Sequence, residues 1–145
     1  MISCSFIGHR DATNEIESTL VLAIINLIEN QQVTNFYVGH QGRFDSIVQR
    51  VLKKLSLRYP HITYTIVLAY MPSKARQYDN LDYENSIFPD SLEFIAPRYA
   101  IIHRNKWMIR QSDYIIAYVT NSTSNAHKFL DIAIRAGKEV INIAK

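Results

Sequence analysis

Short β-rich runs alternate with amphipathic helical stretches along this chain, and that alternation constrains the fold more than any other feature. Met1 to Ile7 is an apolar run with small residues, and it stops at Gly8 before His9, Arg10 and Asp11. A short continuous apolar run of this kind reads as a buried strand. From 14 to 32 the period changes: Ile16, Leu20, Ala23, Ile24, Leu27 and Ile28 recur every three or four positions and make one helical stripe. Asn14 is placed to cap that helix, with Glu17 three residues on as in a capping box.

The alternation then repeats. "NFYVGH" centres a second strand on Phe36 to Val38, closed by Gly39. Phe44, Ile47, Val48, Val51, Leu52 and Leu55 stripe a second helix from about Phe44 to Arg58, and Pro60 ends it. "HITYTIVLAY", 61 to 70, is β-branched and aromatic and reads as a third strand. Positions 71–97 carry three prolines and no sustained period, so a long loop or lid with a turn or two of helix is expected. A helix over 98–111, a strand over 114–119, a helix over 125–136 stopped by Gly137, and a strand over 139–144 complete the chain.

Strands alternating with helices predict a parallel sheet covered on both faces. Right-handed crossovers leave few topologies. The expectation is one α/β domain over 1–145: a three-layer, Rossmann-like fold with a mostly parallel five-stranded sheet in the order 3-2-1-4-5. Ligands of such sheets bind at the carboxyl ends of the strands, where the order reverses. That places the loops after strands 1, 2 and 4 on one crevice. Their residues are Gly8, His9 and Arg10; then Gly39, Gly42, Arg43 and Asp45; then Thr120, Ser122, Thr123 and Asn125.

Each set has the chemistry of half an anion site. Arginine grips phosphate with paired donors, and glycine lets a backbone approach closely or turn with positive φ. The second and third sets also open helices, whose free N–H groups favour anions. Each residue has a plainer use as well. A glycine after a strand makes turns, Asp45 balances a helix dipole, and Ser, Thr or Asn before a helix caps it. Convergence of three loops favours the ligand. Asp45 and Asp11 are the carboxylates that these loops offer as catalytic candidates.

The bulk numbers narrow the classes. A length of 145 residues fits one domain. The net charge of +3 is spread along the chain, so nucleic acid is not the expected partner. The densest basic group, Arg50, Lys53, Lys54 and Arg58, has the spacing of a solvated helix face. Cys4 is the single cysteine and lies inside the first strand, which excludes an internal disulfide and fits a reducing compartment. No zinc-ligand spacing is present, and two histidines on separate loops do not make a metal site. No cofactor is expected. The apolar runs are short of a membrane span and the start lacks a basic leader, so a cytoplasmic protein is expected. Neither G-x-G-x-x-G, G-x-x-x-x-G-K-[ST] nor G-x-S-x-G occurs, against a dinucleotide dehydrogenase, a P-loop ATPase or a serine hydrolase.

"FIGHRDA", "FYVGHQGRFDSIVQRVLKKL", "YPHITYTIVLAYMP", "RYAIIHRNKWMIRQSDYIIAYV" and "AGKEVINIA" together resemble the SLOG superfamily. This is the group around the DNA-processing protein DprA and the Lonely Guy cytokinin-activating proteins. The likeness is to its small stand-alone bacterial branch, similar to YpsA, and it spans nearly the whole chain. It implies a Rossmann-like domain that binds a nucleotide or a nucleotide-derived ligand. It also implies binding roles for Gly8, His9, Arg10, Gly42, Asp45, Arg104 and Asn105. The chain departs from the pattern in three places. No glycine stands in Ser122 to Ala126, Arg43 replaces a common glycine, and no glutamate lies between Glu93 and Glu139. The phosphoribohydrolases of that superfamily use such a glutamate for glycosidic cleavage.

A nucleotide-binding sensor or ligand-binding module is therefore the leading expectation. A nucleoside 5′-monophosphate phosphoribohydrolase is the alternative. Its transition state needs a carboxylate near the anomeric carbon, for which Asp45, Asp11 and Asp113 are candidates. An assembly or nucleic-acid-associated module, using Tyr78, Tyr83 and Phe88, is a third. A homodimer packing through Trp107 to Ile109 is a further expectation, although that segment suits a core equally well.

Overall fold

The computed structural model describes residues 1–71 and 83–144. Its elements are β1 (Ile2–Gly8), α1 (Glu17–Asn30), β2 (Val33–Val38), α2 (Gly42–Arg58), β3 (Thr63–Val67), β4 (Ser86–Ile87), α3 (Pro97–Gln111), β5 (Tyr114–Tyr118), α4 (Asn125–Arg135) and β6 (Glu139–Asn142). Among the described residues six strands form one sheet, in the order β4-β3-β2-β1-β5-β6. Every pairing is parallel. The fold is the expected Rossmann-like α/β sandwich, and the five expected strands, β3-β2-β1-β5-β6, keep the expected order.

The sixth strand corrects the sequence reading. β4 lies inside the segment read as a loop or lid and pairs with β3 through Ile66↔Ser86 and Val67↔Ile87. Leu68 N–H extends the pairing to the Ile87 carbonyl at 2.8 Å. Two residues are too few to show a period, and Pro89 just beyond ends the ladder. Two short 3-10 turns, Tyr83–Asn85 and Asp90–Leu92, flank the strand. Tyr78, the rest of the segment over 72–82 and the side chain of Tyr83 lie outside the described residues. Phe88 packs partly buried against the core.

Alternation along the strands sends side chains to two cores. Cys4 and Phe6 of β1, Phe36 and Val38 of β2 and Ile66 of β3 meet the stripes of α1 and α2. Ile7 and Ile115, on the other face, meet Ile109 of α3 and Phe129 and Ala133 of α4. Met108 and Ile109 are thus core residues, each 1% exposed, and Trp107 stands edge-on to Tyr37 at 5.5 Å. Of the segment that suits a dimer contact or a core equally, Met108 and Ile109 are buried and Trp107 is half-buried.

The face under α3 also holds a polar strip. The Ser5 hydroxyl donates to the Met108 carbonyl at 2.9 Å and meets the Ser112 hydroxyl. Asn35 donates to Ser3 Oγ at 3.2 Å and accepts from Thr63 Oγ1 at 3.2 Å. Buried hydroxyls and amides are tolerated when each is partnered, and these are.

Helix ends follow local chemistry, with one exception. Gly137 takes φ +77°, and its N–H and that of Lys138 bond to Ile134 and Ala133 carbonyls at 3.0 Å each. This is a Schellman ending. The expected cap on α1 does not form. Residues 14–16 make a 3-10 turn, and no side chain caps either that turn or α1. Arg50 of α2 draws the Glu17 carboxylate away, at 2.6 Å. Lys53, Lys54 and Arg58 are exposed, as their spacing predicts.

Candidate functional site

The strand order reverses at β1, which has β2 on one side and β5 on the other. A cavity of about 380 Å³ opens there, at the carboxyl end of β1. Gly8, His9 and Arg10 enter it from β1, and Gln41 and Asp45 from the β2–α2 loop and α2. Arg98, Ile101, Ile102, Arg104 and Asn105 line it from α3, and Ser124, Asn125, Ala126 and Phe129 from α4.

His9 holds two loops together. Its backbone N–H donates to the Tyr118 carbonyl at 3.2 Å, and its Nε2 accepts from Thr120 N–H at 2.7 Å. Acceptance at Nε2 puts the ring proton on Nδ1. The ring stands edge-on to Tyr118, with centroids 5.7 Å apart. Arg10 is anchored through its backbone, whose carbonyl accepts from Arg43 N–H at 2.8 Å, while its side chain is exposed at the mouth.

Behind the mouth lies a buried charge cluster. Arg104 is 2% exposed, although it carries a guanidinium. It donates to Gln41 Oε1 at 2.5 Å, to the Val67 carbonyl at 3.1 Å and to Asn105 Oδ1 at 2.8 Å. Asp45 Oδ2 accepts the backbone N–H of Gln41 at 3.0 Å. Burial raises the Asp45 carboxyl above its ordinary range, while Arg104, the Gln41 N–H and Arg10 act against that rise. Burial likewise lowers His40, and nearby Arg104 adds to it. The Gln49 amide, 3.0 Å from His40 Nδ1, works the other way.

The glycines make room for this packing. A Cβ on Gly39 would lie 2.6 Å from Asp45 Oδ2 and 2.8 Å from Arg104 Cζ. On Gly8 it would lie 2.4 Å from the Phe44 ring. Neither adopts positive φ, so at both positions the chain's own side chains fill the space. Gly42 does need its freedom, with φ +87°, and it abuts the Arg10 backbone.

The third loop contributes a helix start. Ser124 caps α4, accepting His127 N–H at 3.2 Å and donating to the Asn121 carbonyl at 2.8 Å. The first N–H groups of α4 have no partner within the helix, and its positive dipole end faces the cavity at Asn125 and Ala126.

Seven of the expected residues therefore converge: Gly8, His9, Arg10, Asp45, Arg104, Asn105 and Asn125. Six expected contacts fall short of the cavity lining. Gly39 backs the charge cluster and Gly42 supports Arg10. Arg43 turns away to donate to the Ala12 carbonyl at 3.1 Å. Thr120 serves His9 through its backbone. Thr123 closes on Asn121 Oδ1 through both its N–H and its hydroxyl, and Ser122 is exposed beside it. A loop needs internal bonds to hold its shape, and these residues supply them. Of the other carboxylates, Asp11 is exposed off the cavity. Asp113 accepts Ser3 N–H at 3.0 Å at the far edge of the sheet.

Arg98, Ile101 and Ile102 are cavity residues that the loop pattern alone does not single out. With Asn105 they sit at i, i+3, i+4 and i+7, one helical face. That spacing was legible, but an apolar pair on a helix reads as core until its neighbours are known. Chemically the cavity combines exposed guanidiniums of Arg10 and Arg98, a helix N-terminus, an apolar wall of Ile101, Ile102 and Phe129, and one buried carboxylate. Among the described residues no three His, Cys, Asp or Glu side chains gather as a metal site. No helix among them is long and apolar enough to cross a membrane. No family model and no curated protein matches the chain.

Proposed function

We propose that this domain binds a nucleotide or a nucleotide-derived phosphorylated ligand and acts as a sensor or ligand-binding module. One observation carries the reading: two exposed arginines and a helix N-terminus surround an apolar wall at the switch point of a parallel sheet. Phosphate suits Arg10, Arg98 and the first turn of α4. A base or other flat apolar group suits Ile101, Ile102 and Phe129. The resemblance to the SLOG superfamily and its YpsA-like branch points the same way, and the proposed location is the cytoplasm. The phosphoribohydrolase alternative rests on Asp45 alone, a carboxylate already engaged by Gln41 N–H.

Thermal shift against a panel of nucleoside monophosphates and cyclic nucleotides tests this. Binding only to the folded state adds about 2.7 kcal/mol at a ligand concentration near 100 Kd. For a domain of this size that raises the melting temperature by several degrees, at roughly 2–4 °C per kcal/mol. Arg10→Ala is expected to remove the shift and keep the fold, because the side chain is exposed. A panel without any shift refutes the proposal. Release of free base on long incubation would establish the enzyme instead.

A further inference from the structure

The opposite edge of the sheet carries a second concavity. The C-terminal turns of α3 and α4 meet there in an open cleft of about 640 Å³. Its floor is Ile109, Ile132 and Ala136, and Lys106, Arg110 and Lys138 surround it. Among the described residues none of the three cations has a carboxylate within ion-pair distance. An apolar floor ringed by unneutralised cations matches a bulky apolar group flanked by acids.

The chain presents such a group. Phe94 is 92% exposed, the highest value for an aromatic side chain among the described residues. Exposed Asp90 and Glu93 stand beside it. The segment is not slack. Leu92 is buried at 3%, and Glu93 and Ile95 N–H groups bond to the Asp90 and Leu92 carbonyls at 3.1 Å each. A large aromatic held outward on a fixed turn loses little entropy on docking.

Phe94 cannot reach the cleft of its own chain. It precedes the N-terminus of α3, whereas the cleft lies at that helix's other end. Lys106 and Arg110 lie well along α3 from its start at Pro97, roughly 14 and 20 Å from it at 1.5 Å per residue. We propose that Phe94 of one copy inserts between Lys106, Arg110 and Lys138 of a second copy, with Asp90 and Glu93 meeting those cations. The two surfaces are different, so the contact is head-to-tail. Each copy keeps one unused half, which a further copy fills.

Sedimentation velocity of the full chain from micromolar to millimolar concentration tests this. The wild type is expected to rise above its monomer mass of 16.8 kDa with concentration. The rise should weaken between about 0.05 M and about 0.5 M salt, as charge screening predicts. Phe94→Ser removes the inserting half, and Arg110→Glu with Lys138→Glu removes the receiving half. Each variant alone should remain monomeric. An equal mixture should give a dimer and nothing larger, because only one complementary pair of surfaces survives. Asp90→Lys with Glu93→Lys, both exposed positions, should also stay monomeric alone, and mixing it with the Arg110→Glu, Lys138→Glu variant restores charge complementarity on both surfaces, so that mixture should associate beyond the dimer. A wild type that stays at monomer mass overturns the proposal. So does association that persists in either variant alone, or a folded mixture that stays monomeric.

Discussion

Asp45 shows how a single residue can be read correctly as to place and incompletely as to role. Its position in the first turn of α2 was legible as a helix-dipole partner, and its carboxylate does accept the Gln41 N–H. Its burial beside Arg104 was not, because Arg104 is far away in sequence and arrives only through α3. The consequence is a pH dependence. The folded-state pKa lies above the ordinary aspartate value of 3.8. The folded state thus favours the protonated acid. That contribution is complete below about pH 3.8 and is lost as pH rises through the raised value. Asp45→Asn cannot lose it. Urea titrations from pH 3.5 to 7.5 should show the variant gaining stability relative to wild type as pH rises, then levelling off. A constant difference across that range would show that burial does not set this group.

Elements obeyed local rules where local chemistry had no competitor. Gly137 ended α4 as its sequence position predicts, because no other residue type turns left-handed at so little cost. A Cβ there meets nothing within 4 Å. Gly137→Ala therefore tests the backbone term alone. It should cost about 1–2 kcal/mol by chemical denaturation, and Gly137→Asn should recover part of that. An alanine variant as stable as wild type would mean that the turn relaxes. The capping box at α1 failed for the opposite reason: Arg50, from another helix, offered Glu17 a full charge in place of a backbone N–H. β4 was unreadable because two residues carry no period. Its strand character comes from the open edge of β3.

At the scale of the whole molecule, Cys4 is a probe already in place. It is fully buried in β1, the central strand, and burial pushes its thiol pKa far up. Neither thiolate nor access is available in the native state. Labelling with a thiol-reactive disulfide should therefore proceed only through global opening, at a rate that falls with added stabiliser. Nucleotides that raise the melting temperature should slow it. Labelling that matches a free thiol would show a sheet that opens locally at its centre.

The sequence by itself determined the layers, the parallel pairing, the relative order of five of the six strands and the edge on which the cavity-lining loops gather. All of these follow from periods of two and 3.6 and from the handedness of short crossovers. Only the tertiary structure decided which loop residues face the cavity and which spend their hydrogen bonds on one another. It also placed Arg98, Ile101 and Ile102 on the wall, and made Gly8 and Gly39 seats for Phe44, Asp45 and Arg104. The physical reason is common to all of these cases. A period reports which face of an element is buried. It carries no information about which distant side chain supplies the partner, and that partner sets a polar residue's direction.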